Sequence, residues 1–249
     1  MTRRRTLVGM LAASFLGAIL LPLSAVAAKP AAPICGTRAA TIAGTPANEV
    51  IMGTSGDDVI TGGGGNDTIY GLEGNDRICG DENGIRVGGD DEIFGGPGND
   101  RAMGDAADVT TGGSDRIFGE EGHEVFLLGD GDGIRTGGND WVSGGDGNDN
   151  EVEGDGGTVR TGGNDQVFGD AGNDTRLAGD GLENITTGGD DHVFGGAGTD
   201  SLDGDQSLGD SPDGGDDQLD GGDGNSDSLD GDTGIDACVN GEAVVNCEL

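Results

Sequence analysis

The sequence predicts an all-β fold, a parallel β-roll or β-helix solenoid, and three observations carry that reading. A nonapeptide with Gly at its first, second and fourth places, an acidic residue at the sixth and a large apolar residue at the eighth recurs through most of the 249 residues. With 56 Gly and only 3% aromatic residues, the chain is too poor in core formers for an ordinary packed interior. The acidic residues, 48 against 12 basic ones for a net charge of −36, mostly fall at fixed places in the repeat. That last point separates the chain from an acidic disordered one, which bulk composition would suit equally. A field of this sign repels phosphate, so nucleic acid and anionic membrane surfaces are excluded as partners.

Met1 to Ala28 differs in kind from the rest. Arg3, Arg4 and Arg5 precede a mostly apolar run from Leu7 to Val26, followed by small residues, which is the layout of a secretory signal peptide. Ala25-Val26-Ala27 places cleavage after Ala27, with Ala28 the next choice, so residues 1–27 are read as the signal peptide. An uncleaved anchor is the alternative, since about 20 apolar residues can cross a bilayer. A lipoprotein is disfavoured, because Ala32-Pro33-Ile34 is a poor lipidation context for Cys35. Cleavage leaves 48 acidic against nine basic residues, a net charge of −39. The remaining chain divides into an N-terminal cap at 28–43, the repeats at 44–236 and a C-terminal cap at 237–249.

Three copies of the repeat follow without a gap: Gly53 to Thr61, Gly62 to Tyr70 and Gly71 to Cys79, preceded by a weaker copy, Gly44 to Met52, with Glu49 in the Asp place. Six Gly-rich residues can turn tightly, and the remaining three form a minimal strand with one side chain facing inward. One repeat cannot bury that side chain alone. Two repeats make one coil, and stacked coils pair their strands in parallel about 4.8 Å apart. The inward stack then includes Ile60, Ile69, Ile78, Ile93, Ile117, Val142, Val167, Val193, Leu202, Leu219 and Leu229.

On these residues the chain resembles the RTX, or hemolysin-type calcium-binding, repeat family, and the resemblance runs from about Gly44 to Asp236. It implies a parallel β-roll with Ca²⁺ held between equivalent turns of adjacent coils by Asp side chains and backbone oxygens. Many relatives carry a protease, lipase or toxin domain ahead of the repeats. Only about 15 residues separate the cleavage site from Ala43, so no attached enzyme is expected here.

After Cys79 the period alternates between long units of 15 to 17 residues and short ones of 9 or 10, giving coils of 24 to 27 residues. Every long unit opens with Gly-Asp: Asp81, Asp105, Asp130, Asp155, Asp180 and Asp205. Five then carry a β-branched triplet or its near relative, Ile85-Arg86-Val87, Val109-Thr110-Thr111, Ile134-Arg135-Thr136, Val159-Arg160-Thr161 and Ile185-Thr186-Thr187. Such triplets favour strand geometry, so a third short strand per coil and a three-sided section are expected from residue 80, the alternative being irregular surface loops. Phe94, Phe118, Phe168 and Phe194 share the place after the inward residue of a long unit. Exposed aromatic strips are uncommon, so the triplets are expected to fold over these rings as a second small core, the alternative being an exposed aromatic strip used for binding.

The repeat Asp residues form two ladders and are the candidate metal ligands. Short units align Asp58, Asp76, Asp100, Asp149, Asp174, Asp200 and Asp227, with Glu124 in series; long units align Asp67, Asp91, Asp115, Asp140, Asp165, Asp191 and Asp217, continued by Asp236. Carboxylates about 4.8 Å apart repel by roughly 1 kcal/mol in water and several-fold more when partly buried. Over some fourteen neighbouring pairs this exceeds the roughly 5–15 kcal/mol stability of a typical domain, so cations are required. Multiple Ca²⁺ ions fit, because hard oxygen ligands at flexible geometry are what stacked carboxylates and turn carbonyls offer. Zinc would want His or thiolate, whereas His123 and His192 occupy variable positions. Glu49 and Glu124 are expected to weaken their sites. The chain should therefore fold on calcium binding, with affinities of about 10⁻⁴–10⁻³ M. Unfolded in low calcium, it would suit the general secretion route.

Four Cys in an exported chain suggest two disulfides. The two ends lie roughly 40 Å apart in a stack of about eight coils, beyond disulfide reach, so Cys35 pairs with Cys79 and Cys238 with Cys247. No G-x-S-x-G, H-E-x-x-H or Ser/His/Asp set is present, so no catalytic residues and no enzyme are expected. The chain reads as a secreted, extracellular, monomeric calcium-binding protein. A calcium-dependent adhesin or matrix protein meeting cell wall, polysaccharide or another protein is the alternative. The ladder Thr111, Thr136, Thr161 and Thr187 leaves a minor third reading, ice or mineral binding.

Overall fold

The fold is described from a computed structural model over residues 34–181, 185–205 and 214–248; the expected signal peptide, residues 1–27, lies outside the described residues. The x-U-x triplets of the repeat become short strands because the central side chain is apolar and its neighbours tolerate water. They stack into two parallel sheets. Long units and their equivalents supply nine described strands: Val50–Met52, Thr68–Tyr70, Glu92–Phe94, Arg116–Phe118, Trp141–Asp146, Gln166–Ala171, His192–Phe194, Gln218–Asp220 and Ala237–Val239. Short units supply ten, namely Ile42–Ala43, Val59–Gly63, Arg77–Asp81, Arg101–Met103, Phe126–Leu128, Val152–Glu153, Leu177–Asp180, Ser201–Asp205, Ser228–Asp230 and Ala243–Val245. The chain alternates between the sheets, so each strand pairs with the one two elements away, always in register: Ile69 faces Ile93, Ile93 faces Ile117 and Ile78 faces Ala102.

The core is a single column between the sheets. It contains every apolar residue expected to face inward, from Ile60 to Leu229, together with Ile51, Ala102, Leu127, Val152, Leu177 and Cys238. Each is nearly or wholly removed from water, though the column is only one side chain wide per sheet. So thin a core supplies little hydrophobic stabilisation per residue.

The insertions form a third ladder, but a narrower one than a strand. Val87, Thr111, Thr136, Thr161 and Thr187 pair as single parallel bridges from coil to coil. Gly112 N–H donates to Thr136 O at 2.9 Å, and Thr136 N–H donates back to Thr110 O at 3.3 Å. Beneath the bridges Val109, Ile134 and Val159 bury against one another with Ile85 alongside. The Gly pairs that follow allow only one bridged residue per coil before the chain must turn.

The expected cover over the phenylalanines is corrected. The triplets pack on themselves, not on the rings. Each insertion leaves directly from a short-unit strand and stays near that sheet, where Ala106 packs with Met103, Leu128, Cys35 and Cys79. Phe94, Phe118, Phe168 and Phe194 face outward from the opposite sheet and are half-buried by one another. Tyr70 stacks on Phe94 at 4.9 Å between centroids and Phe94 on Phe118 at 5.1 Å. Ser143 interrupts the row, and Trp141 reaches across from the neighbouring column to stack on Phe168 at 4.5 Å.

Both expected bridges are present. Cys35 and Cys79, with Cα atoms 5.5 Å apart, tie the antiparallel pair Ile34–Cys35 and Arg38–Ala39 onto the short-unit sheet. Cys238 and Cys247, 5.9 Å apart, close the last coil.

Candidate metal sites in the turns

The turn before each strand carries the repeat Asp, and its carboxylate divides its work between its two oxygens. One oxygen accepts the backbone N–H of the equivalent residue in the preceding coil. On the long side Asp67, Asp91, Asp115, Asp140, Asp165 and Asp191 each donate to the next Asp Oδ1, at 2.6–2.9 Å. Asp217 donates in the same way to Asp236 at 2.9 Å. On the short side Asp58 donates to Asp76, Asp76 to Asp100, Asp149 to Asp174, Asp174 to Asp200 and Asp200 to Asp227, at 2.8–3.0 Å. These bonds fix every carboxylate in one orientation.

The second oxygen is left without a hydrogen-bond donor. This holds for Oδ2 of Asp76, Asp100, Asp149, Asp174, Asp200 and Asp227, and of Asp67, Asp91, Asp115, Asp140, Asp165, Asp191, Asp217 and Asp236. All of these residues are buried. A buried carboxylate oxygen without a partner is costly, so a column of them is a strong demand for a cation.

Two members of the short ladder depart from this pattern. Asp58 Oδ2 accepts both the N–H and the hydroxyl of Thr54, at 2.7 and 2.8 Å, and Thr41 donates to its Oδ1 at 3.3 Å. It closes the ladder and has no orphaned oxygen to offer. Glu124 leaves both of its oxygens orphaned. Its extra methylene carries the carboxylate past the position an Asp would hold.

The inserted Gly-Asp residues, outside the ladders assigned from the repeat, are equally buried. Oδ2 of Asp81, Asp105, Asp130, Asp155, Asp180 and Asp205 accepts a Gly N–H of its own coil, from Gly89, Gly113, Gly138, Gly163, Gly189 and Gly215, at 2.7–2.8 Å. Their Oδ1 atoms are orphaned. The signal was their strict recurrence at the head of every long unit, but periodicity alone does not show that they turn inward. Gly162 shows how tight the fit is: a β-carbon there would run into the Asp180 carboxylate.

Burial is the first cause of the proton affinity of these groups. It pushes Asp76 up to about 6, Asp100 and Asp174 to about 7, and Asp81 and Asp217 to about 8. Asp115, Asp140, Asp165 and Asp191 are raised well above the ordinary range, by burial first and then by the carboxylates around them. At neutral pH such groups need either protons or metal ions.

The fold and the site together define a class: a parallel β-solenoid whose turns are built to hold hard cations. A family model for the RTX calcium-binding nonapeptide repeat matches residues 44–78, 87–108, 109–134, 136–150, 161–181 and 185–207. That is more than half of the chain, and the chain belongs to this family of calcium-binding repeats. No curated protein matches it.

Proposed function

We propose that this is a secreted, non-enzymatic calcium-binding protein that folds when calcium fills its turns. The observation that carries the reading is the column of oriented, buried carboxylate oxygens without donors on both sides of a core one side chain wide. Stacked carboxylates and turn carbonyls are a hard-oxygen donor set that suits Ca²⁺. The chain's own residues orient these oxygens through backbone N–H groups and exclude water from them; bound calcium would supply the positive charge that lets the coils stack. The two disulfides suit an oxidising, extracellular setting, as does the typical location of RTX repeat proteins. A calorimetric calcium titration of the exported chain tests the reading. Multiple ions per chain with heat of folding support it, and no measurable binding at millimolar calcium overturns it.

A second reading, a calcium-dependent adhesin for cell wall, polysaccharide or protein, draws on one observation. Tyr70, Phe94, Phe118, Trp141, Phe168 and Phe194 form an outward, half-buried aromatic face. Pull-down on cell-wall polysaccharide that is lost with chelator, and with Phe168→Ala, would support it.

A further inference from the structure

The two sides of the solenoid are not equivalent. On the short side each coil contributes one ladder carboxylate. On the long side each contributes two, the repeat Asp and the inserted Asp. Their ligand oxygens converge in four groups: Asp105 with Asp115 and Asp130, Asp130 with Asp140 and Asp155, Asp155 with Asp165 and Asp180, and Asp180 with Asp191 and Asp205. Within each group the three oxygens lie within 4.8 Å of one another. Asp130, Asp155 and Asp180 each belong to two groups, so the groups form one continuous file.

Three observations, independent of the clustering, point to a ligand. The inserted Asp residues are 0% exposed. Each has Oδ2 tied to a Gly N–H and Oδ1 without a donor, and the repeat Asp facing it has Oδ2 without a donor. The glycines beside them leave room only for the carboxylates, since a β-carbon at Gly137 would meet Asp155 and one at Gly162 would meet Asp180.

We propose that the insertions build a second class of calcium site, a buried file along the long side. Each ion is held by the inserted Asp of two consecutive coils and the repeat Asp between them. This rests on the calcium-binding reading and adds to it a ligand that the nonapeptide does not contain. The charge supports it: the four groups use nine carboxylates, nearly balanced by the eight positive charges of four divalent ions. The carboxylates of the file are buried, 0–3% exposed, and a cluster of buried carboxylate oxygens favours Ca²⁺ over Mg²⁺, a cation that gives up its waters reluctantly. These sites bind more tightly than those across the section, where each coil contributes one carboxylate instead of two, and fill first.

The probes are calcium by calorimetry and terbium by luminescence excited through Trp141, the one Trp in the chain and the residue after Asp140. In the full-length protein, Asp130→Asn should lose about two calcium ions from the tighter class, because two groups share that residue. It should also lower Trp-excited terbium emission several-fold. Asp174→Asn, on the short side, should reduce calcium binding in the weaker class and leave the emission intact. If Asp130→Asn shows no β structure in saturating calcium, Asp205→Asn at the end of the file carries the same test with one ion at stake. Variants that keep wild-type stoichiometry, affinity and emission would overturn the file while leaving calcium binding standing. A wild-type chain that binds no calcium would overturn both.

Discussion

From Gly71 onward the second place of the short unit holds the backbone at positive φ: Leu72 at 77°, Gly96 at 101°, Glu120 at 77°, Gly145 at 100°, Asp170 at 68°, Gly196 at 100° and Gly222 at 84°. The second Gly of the repeat is thus a conformational requirement, and Leu72, Glu120 and Asp170 meet it under strain. Glu120→Gly should stabilise the calcium-loaded protein by about 0.5–1 kcal/mol, after the extra backbone entropy of Gly is set against the relieved strain. A denaturant midpoint that falls on this substitution would contradict the reading. The residue before each ladder Asp has its own task. Asn75 Oδ1 accepts the Asn99 N–H at 3.1 Å, Asn99 that of His123 at 3.1 Å, His123 Nδ1 that of Asn148 at 2.7 Å, and Asn148 that of Asn173 at 2.7 Å. His123 is therefore a link in a hydrogen-bond ladder, where the sequence showed only a variable position. In the core, Leu177→Ala should cost about 2–5 kcal/mol in saturating calcium, because Leu177 is fully buried in a column with no second layer to collapse into the gap.

At the scale of elements, the strands and the inward column were legible because the period fixes which residues stack along the axis. The same period does not encode where an insertion lies around the section. The triplets that begin with Val109, Ile134 and Val159 read as a third strand, whereas they stack with one bridged residue per coil, and their placement follows from the strand each insertion leaves, which spacing alone does not reveal. The phenylalanines were recognised as a column for the same reason, and their outward, self-covering arrangement was not. Among the candidate ligands, the Asp ladders were readable residue by residue. The saturation of Asp58 by Thr54 and Thr41 was not, since it depends on a turn at the end of the stack. The disulfides close loops of different length, with sequence separations of 44 and 9. In the chain-entropy account the longer loop contributes about 1.4 kcal/mol more. Cys35→Ser with Cys79→Ser should accordingly lower the unfolding midpoint in calcium more than Cys238→Ser with Cys247→Ser. Equal losses, or the reverse order, would contradict that account.

For the whole molecule, charge and fold are one problem. Without metal, the folded chain holds protons on buried carboxylates that the unfolded chain releases near the ordinary carboxylate value of 3.8, since their folded pKa values rise to about 6 at Asp76, about 7 at Asp100 and about 8 at Asp217. This contribution to metal-free stability is fully present below about pH 4 and is lost as pH rises toward about 8. In chelator, β structure should therefore be greater at about pH 4 than at about pH 8, as read by circular dichroism. Calcium displaces these protons, so its affinity should fall as pH is lowered across the same window. Unchanged affinity between about pH 7.5 and pH 5.5 would mean that the buried carboxylates are not the ligands.

Calcium-dependent folding is tested most directly by far-ultraviolet circular dichroism of the exported chain near neutral pH, first in excess chelator and then through a calcium titration. The spectrum should be largely unordered without calcium and rise cooperatively to full β structure as the ion is added, with a midpoint of about 10⁻⁴–10⁻³ M. A full β spectrum in excess chelator at that pH would contradict calcium-dependent folding.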